Sequence, residues 1–487
     1  MNTPIHVRAD TASYDTEVLI VGSGAGGATT AALLAEAGFG VLVVEEGEWV
    51  EQGTVVPFSL EQMDRQYRSG GVTVALGLPS IAYTEGRCAG GGTEVNSGLY
   101  RRPPQELLER WRAKYHIRDL DPDDLYAIAD EIETALDVSL VPGAVSAPSE
   151  VLRRGAAALQ WQSSESPRWM SYPPGGDAST GRRQSMTRTF LPRAHRAGAR
   201  ILTGCRVRKL ALDSTVAHHA DVVLGDGSAA RIRFKYVFVC GGAIHTPAVL
   251  QRSGLRERIG DTLAVHPTVK LAARFADALN VPDDVPVHQV KEFAPDISFG
   301  GSASHPGLVA LALADNWPEF GHAQRDWERV SVYYAAITSQ GRGRVKAIPG
   351  LRDPLVTYHL TGRDKELLRS GLARLTLLML AAGADEVYPS FRDAPVVRTT
   401  GDIAALQQSF ATSKATVMTV HLCSTVPLGE HPSCAADSFG KLRGMTNVWV
   451  NDASLLPEAP GVNPQGAVMA FAVRNARRFI ETTPARG

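Results

Sequence analysis

The feature that most constrains the fold is the glycine-rich run Gly22-Ser23-Gly24-Ala25-Gly26-Gly27. It follows a short apolar run and precedes an alanine-rich segment with a helical pattern. In this strand–turn–helix context the run predicts a dinucleotide-binding unit. Gly22 permits the tight turn, Gly24 lets the backbone approach a pyrophosphate, and Gly27 lets the helix pack against the strand. The unpaired amides where the helix starts, around Ala25, are expected to face the phosphates.

An acidic residue follows the next apolar run at the expected spacing. Residues 41–44 are all aliphatic and end at Glu45, 23 residues after Gly22, close to the ~20 typical of an acid that binds a ribose hydroxyl. Glu46 is the alternative for this role, and Glu45 is preferred because it directly ends the strand. The competing interpretation is a glycine-rich turn in another kind of α/β protein.

Composition and charge narrow the class of protein. A chain of 487 residues predicts two or three domains, and a net charge of −1 gives no electrostatic basis for binding nucleic acid. Residues 1–14 lack the apolar core of a signal peptide, and the longest nearly unbroken apolar run, 375–384, is about half a membrane span. We therefore expect a cytoplasmic protein without membrane insertion.

The cysteines indicate neither a metal site nor a disulfide framework. They are odd in number and widely scattered, and no pair has metal-ligand spacing. Free thiols in a reducing compartment are expected. The five are Cys88, Cys205, Cys240, Cys423 and Cys434.

A second strand-to-glycine-to-helix junction lies far along the chain. Residues 232–239 predict a strand that runs into Gly241-Gly242, with a helix expected to start at Thr246-Pro247. Residues 222–224 and Gly225-Asp226-Gly227 predict the hairpin that leads into it. Two such junctions about 220 residues apart indicate a cofactor site assembled from distant segments.

The remaining segments suggest a second domain and a return to the first. Residues 47–105 are glycine-rich without a helical period, 105–138 predict helices, and 139–184 predict loops. In the second domain, 308–314 and 330–337 predict strands and 367–382 a long helix. A strand at 448–450 and a helix at about 464–480 then bring the chain back to its first domain.

Two residues near the C-terminal end are candidates for catalysis, each with a structural alternative. His421 follows an apolar strand pattern, and a histidine there is also consistent with a buried imidazole in the core. Asn463 precedes Pro464, so it could also be a helix cap with proline at the first helical position.

These motifs together resemble the glucose–methanol–choline (GMC) type of flavoprotein oxidoreductase. Residues 22–27 with Glu45 are similar to its FAD fingerprint, 86–96 to its first signature, and 242–255 to its second. His266-Pro267 is similar to a further landmark. The closing motif, 452–464, is most like that of the cholesterol-oxidase and long-chain-alcohol-oxidase branches. The likeness extends from Thr16 to about Ile480 in the family's order.

The resemblance implies a two-domain α/β (α+β) fold. Its Rossmann-like FAD-binding domain would comprise residues 1–105, 185–275 and 420–487. A sheet-based substrate domain, 106–184 and 276–419, would cover the flavin. Carried over by motif, the residues that hold FAD are Gly22, Gly24, Ala25, Gly27, Glu45, Arg87, Gly91, Thr93, Asn96, Val207, Gly242, Asp452, Ala453, Asn463 and Pro464.

The chain departs from the family pattern at several positions. Val95 stands where some members carry a histidine that links the flavin, so FAD is expected to be held non-covalently, at least there. Ser424-Thr425 replaces a Gly-Gly or Gly-Thr pair after the histidine, and Arg256 replaces the glycine that usually ends the second signature.

The resemblance further implies oxidation of a small-molecule alcohol to an aldehyde or ketone. His421 would take the hydroxyl proton and Asn463 would hydrogen-bond the substrate oxygen while hydride passes to the flavin. A sugar, an aminoglycoside or another natural-product hydroxyl is open as substrate, as is a long-chain aliphatic or sterol alcohol. The electron acceptor is O2 or another acceptor.

Three other functions remain open from the sequence. Some relatives use the flavin fold for cyanohydrin cleavage without net redox, as a hydroxynitrile lyase does. An NAD-linked enzyme would place a nicotinamide cofactor at Gly22, against the evidence of the other motifs. A catalytically inactive binding protein is the third, and the presence of both His421 and Asn463 argues against it.

Overall fold

The computed structural model describes residues 5–10, 12–281 and 284–483. Positions 1–4, 11, 282–283 and 484–487 lie outside the described residues; they include part of the N-terminal segment interpreted above as lacking a signal peptide. Within the described chain, two large sheets dominate, one of eight strands and one of nine. The predicted class, mixed α/β with a Rossmann-like unit and a second sheet, is confirmed.

The first sheet is built from three distant parts of the chain. Its central strands are short apolar runs that pair in parallel, and an antiparallel meander extends one edge. The fully buried aliphatic residues at 18–20 and 41–44 are typical of a parallel sheet covered on both faces. In spatial order the strands are Val7–Arg8, Arg200–Thr203, Val41–Val44, Ser13–Val21, Ala229–Val239, Val216–Leu224 and Cys205–Asp213, and Val448–Val450 also pairs with Ala229–Val239.

The second sheet is mainly antiparallel. Its order is Thr73–Ala75, Ile81–Tyr83, Val417–Thr419, Thr268–Arg274, Val330–Ile337, Ile297–Gly301, His288–Val290 and Ser163–Glu165, with Glu386–Pro389 also on Thr268–Arg274. Smaller two-stranded pairs are Ala264–Val265 with Leu422–Cys423, Arg342–Lys346 with Leu355–His359, and Met170–Ser171 with Arg182–Arg183.

Helices cover both sheets and complete two hydrophobic cores. Those of the first core are Ala25–Glu36, Gln105–Tyr115, Pro122–Ala135, Phe190–Arg196, Gly242–Arg252 and Gln465–Thr482. Those of the second are Ala147–Ala158, Gly362–Ala381 and Ile403–Ser409, while Pro306–Leu313 covers the far part of the second sheet. Three short helices are Leu60–Gln66, Gly92–Val95 and Trp317–Phe320.

The strand predicted at 308–314 is wrong, because this segment forms the helix Pro306–Leu313. Alternating leucine and alanine suggested a strand, but both are strong helix formers. The local sequence also starts a helix: Pro306 occupies the first turn, and the His305 ring accepts a hydrogen bond from the Gly307 amide (3.4 Å). Helices at Leu60–Gln66 and Ala147–Ala158 likewise lie in segments predicted as irregular.

The helix of the second junction begins at Gly242, earlier than predicted, so Pro247 lies inside it. A proline there lacks the N–H that would bond the carbonyl four residues back. That carbonyl belongs to Ala243, and it accepts a hydrogen bond from Thr425 Oγ1 instead (2.6 Å). Thr425, noted above as a departure from the family pattern, thus satisfies the group that Pro247 leaves open.

Sheet membership refines the predicted domain ranges, which stay a prediction. Strands Thr73–Ala75, Ile81–Tyr83 and Thr268–Arg274 belong to the second sheet, although the sequence analysis assigns them to the FAD-binding part. Helices Gln105–Tyr115 and Pro122–Ala135 pack in the first core, not the second. Across the part of the chain that the structure describes, no helix is both long and apolar enough to cross a bilayer.

Candidate active site

A large cavity lies between the two sheets. Its volume of about 1290 Å³ exceeds the roughly 300–1,000 Å³ of ordinary small-molecule sites, so it has room for a dinucleotide and a substrate together. All the predicted site residues line it except Gly27 and Arg87. The distant segments singled out by the sequence are therefore brought to one site.

The glycines of the first loop are of two kinds: some pack so closely against the backbone that a side chain would collide, and one faces open space. A Cβ on Gly27 would lie 2.1 Å from the Gly22 carbonyl oxygen, and one on Gly22 would lie 2.3 Å from that of Cys240. A Cβ on Gly24 would meet no protein atom within 4 Å. Gly24 also precedes the helix Ala25–Glu36, whose start has no side-chain cap. This exposed backbone at a helix N-terminus fits the pyrophosphate of FAD.

Glu45 and Glu46 have different environments. The buried Glu45 carboxylate accepts hydrogen bonds from Ser23 N (3.1 Å), Ser23 Oγ (2.7 Å) and Gly47 N (2.9 Å), and burial raises its pKa. Burial also acts to raise the pKa of Glu46, but Arg68 and then Arg352 outweigh it and lower the pKa to about 2. Glu45 thus holds the glycine loop and keeps lone pairs for a ribose, while Glu46 is committed to ion pairs.

The first signature packs directly on the glycine loop. The Gly90 amide donates to Ser23 Oγ (3.0 Å), and a Cβ on Gly91 would lie 3.2 Å from Gly24 Cα. Thr93 Oγ1 donates back to the Gly90 carbonyl (2.7 Å). Arg87, in contrast, lies beside Glu46 (3.6 Å) and not on the cavity wall.

Further along, Asn96 connects the first signature to the closing helix. Its Nδ2 donates to Gln465 Oε1 (2.6 Å), and its Oδ1 accepts from Arg183 Nη1 (2.8 Å). Val95 ends the short helix of this signature, and its carbonyl accepts from the Tyr67 hydroxyl (3.4 Å).

Asp452 ties the second junction to the closing motif. Its Oδ2 accepts from the Gly242 amide (2.7 Å) and from Thr246 Oγ1 (2.5 Å), and its Oδ1 accepts from the Ser454 amide (2.8 Å). Burial raises its pKa. Asp452 therefore aligns two segments of the cavity wall, and the predicted cofactor residues Val207 and Ala453 line the same cavity.

His421 belongs to a hydrogen-bonded histidine pair whose proton positions follow from one backbone amide. The Gly461 amide donates to His266 Nε2 (2.9 Å), so the proton of neutral His266 is on Nδ1. His266 Nδ1 lies 2.9 Å from His421 Nδ1, which must then accept, leaving the His421 proton on Nε2. That nitrogen has no partner in the described protein, and His421 lines the cavity.

The pair is neutral because burial opposes charge. Burial lowers the pKa of His421 to about 4, with Lys291 acting in the same direction. Burial, then His421 and Lys291, lower the pKa of His266 well below its ordinary value. The sequence analysis identified His266-Pro267 only as a family landmark. Nothing in that motif indicated that His266 would contact His421.

Asn463 is not a helix cap. The helix begins at Gln465, Pro464 occupies the capping position, and no side chain caps the helix. Asn463 Oδ1 accepts instead from Gln289 Nε2 (3.4 Å), and Gln289 Oε1 accepts from Arg101 Nε (3.3 Å). The side chain is thus held at the cavity wall, and its Nδ2 group, which has no acceptor among the described residues, can donate to a ligand.

One face of the second sheet forms the opposite wall. Along Thr268–Arg274, residues 268 and 270 line the cavity while 269 and 271 are buried in the core. Strand register places the same face of neighbouring strands alongside. The cavity-lining residues of this face are Thr268, Lys270, Gln289, Lys291, Ser298, Tyr334, Ala336 and Met418. The sequence analysis identified none of these as site residues.

Comparison with known proteins agrees with this architecture. Two family models described as GMC oxidoreductase match residues 63–268 and 339–472, and one described as an FAD binding domain matches 15–54. A GMC-type oxidoreductase of Sinorhizobium fredii is 40% identical over 99% of this chain and 96% of its own. The chain belongs to the GMC oxidoreductase family. The predicted family membership, FAD as cofactor and oxidoreductase activity are thereby confirmed.

More distant GMC proteins share the fold. A long-chain-alcohol oxidase of Arabidopsis thaliana is 25% identical over 96% of this chain and 68% of its own. Pyridoxine 4-oxidase from Mesorbium loti superposes with a TM-score of 0.74 at 20% identity, covering 95% of this chain and 99% of its own. A formate oxidase of Aspergillus oryzae gives a TM-score of 0.74 at 14% identity, covering 98% and 99%. The family supports flavin-dependent alcohol oxidation in general.

Proposed function

We propose that this protein oxidises a small polar alcohol to an aldehyde or ketone, with His421 and Asn463 binding and activating the hydroxyl. The observation that carries the proposal is the convergence of these two side chains on the cavity that also holds the glycine loop. His421 presents Nε2 there and Asn463 an uncommitted amide. When bound, FAD supplies the acceptor for the hydride that leaves the substrate carbon.

His421 can remove a proton from the alcohol only after the histidine pair changes tautomer. In the resting tautomer His421 Nε2 carries a proton and donates to the alcohol oxygen. To accept a proton at Nε2, both rings must switch tautomers, so that His421 Nδ1 donates to His266. His266 Nε2 then carries a proton and loses the Gly461 hydrogen bond, a cost of about 1 kcal/mol. His266 therefore acts as a positioning residue for the base.

The cavity wall favours a polar substrate over a long aliphatic chain. Gln289, Ser298 and Tyr334 bring amide and hydroxyl groups to the face opposite the glycine loop. Gln289 and Ser298 each have a protein partner, but their remaining hydrogen-bonding capacity would be left unused by a hydrocarbon chain, which is unfavourable for polar groups removed from water. A sugar or other polyhydroxylated alcohol fits this wall better than a sterol does.

Anaerobic mixing with alcohols separates the redox function from the lyase alternative. Bleaching of the flavin by an alcohol supports oxidation, whereas cyanohydrin cleavage with a permanently oxidised flavin supports a lyase. Readmitting air then tests whether O2 or another acceptor reoxidises the flavin. We propose O2 or a further small acceptor as the partner in this half-reaction.

The low pKa of His421 predicts an unusual pH dependence of kcat/KM. A general base acts only when deprotonated, so activity is present above its pKa and lost below it. With burial holding that pKa at about 4, kcat/KM should stay level from neutral pH to about 5 and decline below about 4. Initial rates after a brief pH jump measure this before acid unfolding intervenes. A break near 6.5, the ordinary pKa of histidine, would count against His421 as the buried base.

Replacing Asn463 by aspartate tests its role at the substrate oxygen. The introduced carboxylate would offer acceptors but no amide donor, and at neutral pH its charge would repel a developing alkoxide. We expect N463D to lower kcat/KM by about 10²-fold, the scale of one lost transition-state donor, with normal FAD content. N463D activity equal to wild type would remove the donor role. The substitution N447D, at a buried Asn that is not among the cavity-lining residues, reports the cost of a misplaced charge on folding alone.

A further inference from the structure

The wall of the cavity facing the glycine loop carries two positive charges and no negative one. Lys270 and Lys291 both line it, on strand Thr268–Arg274 and directly after strand His288–Val290. None of the other cavity-lining residues of this sheet face is acidic; they are Thr268, Gln289, Ser298, Tyr334, Ala336 and Met418. This wall is therefore a positively charged surface of the cavity.

Neither lysine has a counter-ion in the described part of the chain. Lys291 Nζ donates to Ser298 Oγ (3.0 Å), a neutral acceptor, and Lys270 has no side-chain hydrogen bond among the described residues. Burial lowers the pKa of Lys270 to about 8. Burial, and then Arg101, lower that of Lys291 to about 8. Both side chains are half-buried on the cavity wall. An ammonium group that has lost part of its hydration and has no counter-ion costs stability, so a fold keeps one where a ligand supplies the missing charge.

The acidic groups elsewhere on the cavity wall do not compensate these lysines. Glu45 and Asp452 accept hydrogen bonds from the protein backbone and hydroxyl groups. Glu46 pairs with Arg68 and Arg352, and Glu94 accepts from Thr187.

Of the other acidic residues on the wall, Glu85 and Asp353 lie beside Arg68 (3.8 Å and 3.3 Å), and Glu51 accepts from Trp49 Nε1 (2.8 Å). Burial raises the pKa of Asp284, whose neighbours are Ser146 and Arg168. Among the described residues, no carboxylate forms an ion pair with Lys270 or Lys291.

Lys291 is the lysine nearer the reacting group. It contacts Ser298, which pairs in register with Ala336, and Ala336 pairs with Thr268, two residues from His266. In agreement with this placement, the charge of Lys291 adds to burial in lowering the pKa of His421 and His266. The two lysines stand three strands apart in the sheet, roughly 14 Å at the backbone. A single small anion therefore contacts Lys291, and Lys270 adds a favourable field or binds the far end of a longer substrate.

We infer that the substrate alcohol carries a negatively charged group, a carboxylate or a phosphate ester, that binds Lys291 on this wall. The inference rests on the proposed function and names its substrate class. It disfavours a cationic substrate such as an aminoglycoside, whose ammonium groups the same wall repels. Burial is the main cause of the low pKa of His421 and the charge of Lys291 is the second; an anion at Lys291 offsets the second, so binding and proton removal support each other.

Binding of four matched sugars to the FAD-loaded protein tests this inference without turnover. D-glucose is neutral, D-gluconate carries a carboxylate, D-glucose 6-phosphate a phosphate, and D-glucosamine an ammonium group; acetate and inorganic phosphate test charge independently of shape. By calorimetry we expect at least one of the two anionic sugars to bind tenfold or more tightly than glucose, and glucosamine more weakly. The anionic sugar that binds more tightly shows whether the group is a carboxylate or a phosphate ester. If no anionic probe binds better than its neutral match, the inference is wrong.

Charge-removing variants make the test specific. Lys291→Met should abolish the preference for the anionic sugar, and Lys270→Met should reduce it several-fold. Lys209→Met, at an exposed lysine on the first sheet that pairs with Asp221, should leave it unchanged. Both cavity variants should melt at a higher temperature than wild type, because each removes a half-buried charge that has no counter-ion. This readout checks folding and does not depend on activity.

Three outcomes distinguish the ways in which the proposals could fail. If the variants keep the anion preference but lower the reduction potential of the flavin, the lysines serve the cofactor and the inference is overturned. If anions bind as expected but no alcohol bleaches the flavin, the anion site stands and the proposed oxidation fails. Bleaching by glucose alone, with no advantage for gluconate or glucose 6-phosphate, retains the oxidation and overturns the anionic substrate.

Discussion

His421→Ala should lower the rate of flavin reduction by alcohol by about 10²- to 10⁴-fold, the range for losing a general base. The substitution removes the only nitrogen of the histidine pair that opens to the cavity without a partner among the described residues. It also leaves the His266 Nδ1 proton without its acceptor, at a cost of about 1–3 kcal/mol of folding stability. The folded protein should still contain FAD, since the glycine loop and the first signature are untouched.

The measurement is single-turnover flavin reduction by rapid anaerobic mixing, with FAD content and melting temperature recorded for the same sample. His218→Ala, at an exposed histidine on the first sheet, is the matched control and should reduce at the wild-type rate. A His421→Ala protein that is folded, loaded with FAD and reduced at the normal rate would remove His421 from the mechanism.

Alanine at Gly24 and at Gly27 should have opposite effects on folding and on FAD binding. A Cβ at Gly27 meets the Gly22 carbonyl oxygen at 2.1 Å, whereas a Cβ at Gly24 meets no protein atom within 4 Å. Overpacking of this kind costs about 1–3 kcal/mol. Gly27→Ala should therefore lose that amount of unfolding free energy in the FAD-free protein, and Gly24→Ala should stay within about 0.5 kcal/mol of wild type.

The effect of the two substitutions on FAD affinity should be the opposite of their effect on stability, with Gly24→Ala the more damaging. Because the backbone of Gly24 is open to the cavity and adopts extended angles that alanine tolerates, its new methyl group collides only with the bound cofactor. A steric cost of about 1–3 kcal/mol corresponds to roughly 10- to 100-fold weaker FAD binding. Denaturant titration of the FAD-free forms and FAD titration of each variant measure the two effects. Full FAD affinity in Gly24→Ala would show that the pyrophosphate does not lie against this loop.

The local parts of the site were predictable from the sequence because they depend on short-range geometry. A glycine that must bring backbone close to a ligand, and an acid at the end of the next strand, leave a fixed spacing in the chain. Gly22, Gly24 and Glu45 could be placed on that basis alone. His421 and Asn463 could not, and their roles came from the family resemblance; each had an ordinary structural explanation until the structure showed Asn463 outside the helix cap.

The substrate wall was not predictable because it depends on sheet register. Lys270, Gln289 and Lys291 come together only when strands separated by many residues pair in one alignment, and a shift of one residue would turn them into the core. The histidine pair has the same origin, since His266 and His421 lie 155 positions apart. The strand predicted at 308–314 was wrong for a different reason. Its run of leucine and alanine is also compatible with a helix, and His305 caps the helix that forms there.

The most direct test of the account is an anaerobic titration of the FAD-loaded wild-type protein with hydroxylated sugars and their acids, followed through the visible absorbance of the flavin. We predict full bleaching by at least one alcohol, with one carbonyl product formed for each FAD reduced. A flavin that remains oxidised with every alcohol, while the protein is folded and saturated with FAD, would contradict alcohol oxidation at this site.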